Sequence, residues 1–147
     1  MSIFSRYQTR VPRKDLKGCT ETPKTLGEHL KKRRLSKGMS QASLAKLLGV
    51  TKDCVWLWEA ERNTPQLHHY PALIAFLGYY PFDHETDTLG GKITRYKNLH
   101  GMSTKKLAKL LGVDEGTVAQ WERNETKPLA RSMSRIISIL HTKATHI

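Results

Sequence analysis

Apolar side chains recur every three or four positions through residues 25–77, which is the spacing of amphipathic helices. Capping residues and glycines divide this stretch into four segments, and the same division returns over residues 88–140. No stretch shows the alternation of apolar and polar residues that is typical of a strand. The pattern predicts an all-α protein built from two repeated small helical bundles.

The first helix of the first stretch is expected to begin at Thr25, which forms the pattern of a capping box with Glu28, and to end at Gly38. Ser40 is expected to cap the second helix, because its hydroxyl can accept a hydrogen bond from a free amide at the helix start. Gly49 ends this helix. Its apolar face is expected to comprise Leu44, Leu47 and Leu48.

Thr51 is expected to cap the third helix, which places Val55 and Trp58 in the core. A fourth, apolar helix is expected to have Pro71 at its first position and Gly78 after its end. In the second stretch, helices are expected at about residues 89–99, 103–110, 114–123 and 129–140.

Residues 25–65 and 88–128 align without a gap at a shift of 63 positions, with 17 identities in 41 positions. Agreement of this extent identifies one unit used twice. We therefore expect a basic arm at residues 1–24, a first helix-turn-helix unit at 25–78, a linker at 79–87, a second unit at 88–141 and a tail at 142–147.

The net charge of +12 is unevenly distributed. Each aligned 41-residue stretch contains eight basic and four acidic residues, whereas residues 66–87 contain three acids and neither lysine nor arginine. A basic domain attracts polyanions, above all nucleic acid, although charge alone would equally suit an ordinary surface. The linker opens with the apolar run Tyr79–Phe82, which is expected to pack against a unit.

Several classes of protein are disfavoured by the sequence. Cys19 and Cys54 lack the spacing of a disulfide framework or a zinc site, and the seven histidines show no ligand pattern. No apolar run is long enough to span a membrane, and no secretory signal is present. Neither a nucleophile–base pair nor a phosphate-binding glycine loop occurs. We therefore expect no enzyme, no cofactor, no metal, no small-molecule ligand and a cytoplasmic location.

Each unit contains the sequence of a helix-turn-helix, in which two short helices are joined by a turn with a glycine. In the first unit the motif reads Ser40-Gln41-x-x-Leu44-Ala45-x-x-Leu48-Gly49-Val50-Thr51-x-x-x-Val55-x-x-Trp58-Glu59. Gly49 permits a left-handed backbone, and Ala45 is small where two helices cross. With the following Pro65, the pattern resembles the lambda-repressor/Cro-like, XRE-type helix-turn-helix domains over residues 25–77 and 88–140.

The resemblance implies that the second motif helix lies in the major groove of double-stranded DNA, and that flanking positions meet the phosphates. In the first unit the candidate DNA-binding residues are Gln41, Thr51, Lys52, Asp53, Trp56, Leu57, Arg62 and Asn63. The corresponding residues of the second unit are Thr104, Lys105, Glu115, Thr117, Gln120, Arg123, Asn124 and Lys127. By hydrogen-bonding pattern, Lys52 suits guanine, Asp53 cytosine and Gln120 adenine.

Three features leave alternatives open. Trp56 is expected to face outward, where it could contact a sugar or a thymine methyl group, or seal a contact with the other unit. The acids of Asp114-Glu115-Gly116 would repel phosphates, yet they are also ordinary helix-start residues. The second unit could therefore read DNA weakly, clamp it or form a dimerisation surface. The arm could contact a groove or phosphates, or be inert.

The sequence therefore predicts a bacterial, nucleoid-associated transcriptional regulator, such as a repressor, that binds double-stranded DNA through two reading units. An asymmetric site is expected if the protein is a monomer, with half-sites about 10–10.5 bp apart. The alternative is a protein-interaction adaptor or an antitoxin-like accessory protein, in which the second unit binds a protein partner or forms a homodimer.

Overall fold

The computed structural model describes residues 22–82 and 87–142, and every regular element within these ranges is helical, as predicted. The chain divides into two compact bodies between Phe82 and Asp83. The predicted arm and tail lie almost entirely outside the described residues. The first body contains α1 (Leu26–Ser36), α2 (Gln41–Leu48), α3 (Lys52–Glu59), a short 3-10 helix (Leu67–His69) and α4 (Tyr70–Leu77). The second contains α5 (Leu89–His100), α6 (Thr104–Leu111), α7 (Glu115–Glu122) and α8 (Ala130–Thr142).

The predicted caps of the first unit are confirmed. The Thr25 hydroxyl accepts a hydrogen bond from the Glu28 amide at 3.2 Å, and the Glu28 carboxylate accepts one from the Thr25 amide at 3.4 Å. Ser40 and Thr51 each accept a hydrogen bond from the amide three residues on, at 3.0 and 3.3 Å. Gly49 has a φ of 69°, the left-handed conformation that lets the chain turn between α2 and α3.

Two details of the predicted helices are wrong. Pro71 is not the first residue of α4, because a 3-10 turn leads into the helix and α4 begins at Tyr70. Leu47 is 63% exposed, although it was expected on the apolar face of α2. The buried residues of α2 are Leu44 and Ala45, and Leu47 lies about 200° around the helix from Ala45.

Each body has its own apolar core, built on the repeated positions. In the first, α1, α2, α3 and α4 contribute Leu30, Leu44, Ala45, Val55, Trp58, Leu73, Phe76 and Leu77. In the second, α5, α6, α7 and α8 contribute Ile93, Tyr96, Leu107, Ala108, Leu111, Val118, Trp121 and Ile136. In both bodies the core fixes the second motif helix against the helix before it.

A glycine near the start of the first helix of each body allows that helix to approach the second motif helix closely. A Cβ atom added to Gly27 would lie 2.1 Å from the carbonyl oxygen of Trp58. One added to Gly90 would lie 2.3 Å from the carbonyl oxygen of Glu122. Since no side chain fits at these distances, α1 and α5 rest directly on the ends of α3 and α7.

The apolar start of the linker packs against the first body, as expected. The rings of Phe82 and Tyr70 stack with 5.1 Å between their centroids. The Tyr79 hydroxyl lies 2.7 Å from Nδ1 of His29, within hydrogen-bonding distance. Tyr79–Phe82 therefore form part of the first body's surface.

Candidate nucleic-acid interface

The outer face of α3 presents the residues that the sequence placed at base edges. Burial of Val55 and Trp58 in the core leaves another face of α3 open to solvent. Lys52, Asp53 and Trp56 are exposed, and Trp56 keeps 50% of its surface accessible. The outward orientation expected for Trp56 is confirmed. This face combines one cation, one acid and one large apolar ring.

Thr51 and Leu57 have mainly structural contacts in the protein. The Thr51 hydroxyl caps α3 and also donates a hydrogen bond to Sγ of Cys54 at 3.2 Å. Leu57 is only half-buried, and its carbonyl oxygen accepts the amide of Arg62 at 2.9 Å. Both residues therefore shape α3 and the loop after it.

Gln41 belongs to a polar cluster at the meeting point of α1, α2 and α3. The guanidinium of Arg34 donates to both carboxylate oxygens of Glu59, at 2.6 and 2.8 Å, and to the carbonyl oxygen of Met39 at 2.9 Å. Gln41 donates its amide Nε2 to Glu59 at 2.9 Å. The side chains of Arg34 and Glu59 are 9% and 3% exposed, so the pair is shielded from water. The cluster fixes the Gln41 amide at the start of α2.

The second body has a smaller version of this cluster, which sequence reasoning missed in both bodies. Lys97 contacts Glu122 at 2.6 Å and donates to the Thr104 hydroxyl at 2.7 Å. Thr104 lies 3.4 Å from the Glu122 carboxylate, to which it donates in turn. Its hydroxyl is thus engaged within the protein. The repeat could have revealed this cluster, because the shift of 63 aligns Arg34 with Lys97 and Glu59 with Glu122.

The outer face of α7 carries no cation. Asp114 caps the helix by accepting the Gly116 amide at 2.9 Å, and Glu115 is exposed beside it. Thr117 is partly exposed. Gln120 is exposed, and its Oε1 accepts a hydrogen bond from Thr126 at 3.4 Å. At the shift of 63, Glu115 stands at the position of Lys52, Ala119 at that of Trp56 and Gln120 at that of Leu57.

The loops after the two motif helices differ in the contacts of their arginines. Arg62 and Asn63 are exposed, and Asn63 accepts the Thr64 amide at 2.9 Å. Arg123 donates to both oxygens of Glu125, at 2.7 and 3.0 Å. These hydrogen bonds raise the pKa of Arg123 and lower that of Glu125. The pair is exposed, with 58% and 51% of the two side chains accessible, so Glu125 competes with other anions for Arg123 without removing its charge.

The correspondence drawn between Arg62 and Asn63 and the pair Arg123 and Asn124 is wrong. Asn124 has a φ of 56°, and the residue in the same left-handed conformation of the first body is Glu61, at 58°. Asn124 also ties the loop to α5, because its Oδ1 accepts the Gly90 amide at 2.9 Å. Asn124 therefore supports the fold.

Further exposed cations flank both motifs. They are Lys46 and Lys52 in the first body and Lys105, Lys106, Lys109 and Lys127 in the second. Among the described residues, no cluster of histidine, cysteine, aspartate or glutamate is suited to a metal ion. Within the same ranges, no helix has the length and apolar character needed to cross a bilayer.

A match to a known family falls within the second body. Residues 93–147 match the helix-turn-helix family HTH_3, and this match supports an XRE-type helix-turn-helix protein. The matched region includes α6 and α7 and begins after the whole of the first body. No curated protein and no solved structure matches the chain. The match suggests a DNA-binding regulator of the XRE type.

Proposed function

We propose that this protein is a sequence-specific transcriptional regulator that binds double-stranded DNA with two tandem helix-turn-helix units. The first unit spans residues 25–78 and the second 88–141, with α3 and α7 placed in major grooves. The observation that best supports the proposal is the outer face of α3, where a helix held rigidly by the core presents Lys52, Asp53 and Trp56 to solvent. A lysine on such a helix can bond O6 and N7 of guanine.

The contacts around α3 also support a phosphate-binding role for its surroundings. Gln41 is fixed by Glu59 at the start of α2, where amides and side chains of this motif lie beside the DNA backbone. Arg62 is exposed in the loop after α3. Phosphate contacts position a protein on the duplex, and base contacts specify the sequence. The first unit thus combines both kinds of residue.

The second unit differs in the groups that it offers to bases and to phosphates. Glu115 and Gln120 are exposed on α7, the Thr104 hydroxyl is engaged by Lys97 and Glu122, and Arg123 is paired with Glu125. Its phosphate contacts would therefore come from lysines, of which Lys105, Lys106, Lys109 and Lys127 are exposed. We therefore propose unequal half-sites, in which Lys52 reads a base in one half and Gln120 reads a different base in the other.

The exposed Glu115 also favours a second function. An exposed Glu115 on a helix face without a cation suits a basic protein partner better than a polyanion. In this alternative, α7 is a surface for a partner protein or a second copy, and only α3 reads DNA. The two proposals differ in whether Gln120 affects the DNA sequence that is bound.

The experiment is a selection of bound sequences from a random duplex pool, with the wild type and with Lys52→Ala and Gln120→Ala variants. We expect one enriched site with two unlike halves, and each substitution should relax one half. A site with one half, insensitive to Gln120→Ala, would replace the tandem proposal by the partner-surface alternative. Bulk, salt-sensitive binding without enrichment would contradict sequence-specific regulation altogether.

A further inference from the structure

Trp56 is the one tryptophan of this chain that the fold does not bury. The sequence contains three tryptophans, and Trp58 and Trp121 lie in the two cores with 5% and 4% of their surface exposed. Trp56 is 50% exposed on α3. The corresponding position of the second unit, 63 residues on, holds Ala119. The fold of the repeat therefore does not require an indole at this position.

Two of the exposed neighbours of Trp56 on α3 are charged. Lys52 precedes it by four residues, which places both side chains on one face of the helix. Asp53 is exposed on the preceding turn, and the exposed residue four positions later is Ala60. Surfaces that bind proteins usually expose a continuous apolar patch. An isolated indole beside a lysine on a unit with a net charge of +4 instead complements a polyanion that has apolar groups of its own.

The major groove offers few apolar groups to such a side chain. The edges of guanine, cytosine and adenine present hydrogen-bond donors and acceptors there, whereas thymine presents a methyl group at C5. We propose that Trp56 is a specificity-determining residue that recognises the 5-methyl group of a thymine in the half-site bound by the first unit. Lys52, one turn earlier on the same face, contacts the base pair next to that thymine.

This inference rests on the proposed function, because it requires that α3 lie in the major groove. It names thymine as one of the bases that α3 reads. Two other contacts of the indole predict different behaviour. Stacking on a sugar would be independent of the base methyl group, and packing against protein would leave DNA affinity independent of Trp56.

The test uses the full chain and the duplex enriched in the selection described above. Each thymine of the first half-site is replaced, one at a time, by deoxyuridine, which removes the methyl group and keeps the hydrogen-bonding edge. We expect one position at which the wild type binds roughly three- to fivefold more weakly, the factor for losing one buried methyl group. In Trp56→Ala, the thymine and deoxyuridine duplexes should bind equally.

Two variants serve as controls. Trp56→Phe retains an apolar ring and should keep the preference for thymine at that position. Lys52→Ala should weaken binding to both duplexes and preserve the ratio between them. Circular dichroism of Trp56→Ala checks that the unit remains folded, as the alanine at position 119 leads us to expect.

Each outcome has a distinct meaning. Equal affinity of the wild type for thymine and deoxyuridine at every position would overturn the inference and leave the regulator intact. An equal loss for both duplexes in Trp56→Ala would overturn it in favour of a sugar contact. If no duplex is enriched, the proposed function fails, and this inference fails with it.

Discussion

The Arg34 guanidinium and the Glu59 carboxylate share two hydrogen bonds, at 2.6 and 2.8 Å, in a position shielded from water. The pair joins α1 to the end of α3, the helix proposed to read DNA. At the corresponding place in the second body, Lys97 and Glu122 form a single contact whose side chains are 13% and 18% exposed. A pair with two hydrogen bonds is thus replaced by a single contact that water reaches more easily.

Arg34→Met is expected to destabilise the first unit by about 3–5 kcal/mol, because it leaves the Glu59 carboxylate buried without its cation. Lys97→Met should cost the second unit less, since water reaches Glu122 more easily. Denaturant unfolding followed by tryptophan fluorescence measures the stability loss in each variant. Replacing Glu59 as well, in Arg34→Met/Glu59→Leu, should restore part of the loss. Equal, small effects of both single substitutions would contradict this account.

Gly27→Ala and Gly90→Ala are each expected to destabilise their own unit by about 2–3 kcal/mol, as the added methyl group would overlap a backbone carbonyl oxygen. Thermal melting of the full chain is the measurement. Gly116→Ala is the control, because the atom within reach there is a side-chain oxygen of Asp114 and alanine favours the helix. Unchanged melting in Gly27→Ala and Gly90→Ala would show that α1 and α5 can shift without cost.

Arg62→Ala should lower the slope of log affinity against log salt concentration by about one, the loss expected for one phosphate contact. Arg123→Ala should lower the slope less, because Glu125 competes with a phosphate for that guanidinium. Glu125→Gln should release Arg123 and strengthen DNA binding at low salt. Titrations of a labelled duplex at several salt concentrations measure these slopes. If Arg123→Ala lowers the slope as much as Arg62→Ala does, the pairing with Glu125 has no effect on DNA binding.

His29 makes the stability of the first unit depend on pH. Burial lowers the pKa of His29 from its usual 6.5, against the opposing influence of Glu28 and with a smaller contribution from Lys32. The unfolded chain therefore takes up the proton first, so stability should fall as the pH drops below about 6.5 and level off below the folded pKa.

Melting temperatures between pH 7.5 and pH 5 test this effect. The wild type should lose more stability over the window than His29→Gln, which can still hydrogen-bond to Tyr79. Some dependence should persist in the variant, because burial and the nearby His68 also lower the pKa of His69. Identical pH profiles for the two proteins would exclude His29 as the group responsible.

The sequence by itself determined the elements that depend on near neighbours. Thr25, Ser40 and Thr51 cap their helices with bonds that span three residues, so a short pattern is sufficient to find them. Helical spacing likewise placed Val55 and Trp58 in the core and Trp56 on the outer face of α3. These predictions succeeded because capping and helical periodicity are local properties.

Tertiary structure decided what depends on the packing of one helix against another. Leu47 is exposed because the buried stripe of α2 is narrower than its run of leucines. Gly27 is required by a carbonyl oxygen on α3, and Gln41 is held by a glutamate 18 residues away. The role of Asn124 as an acceptor for the Gly90 amide, 34 residues away, likewise appears only in the packed structure. Such contacts join residues distant in sequence, and their distances follow from how the helices pack, which no short pattern specifies.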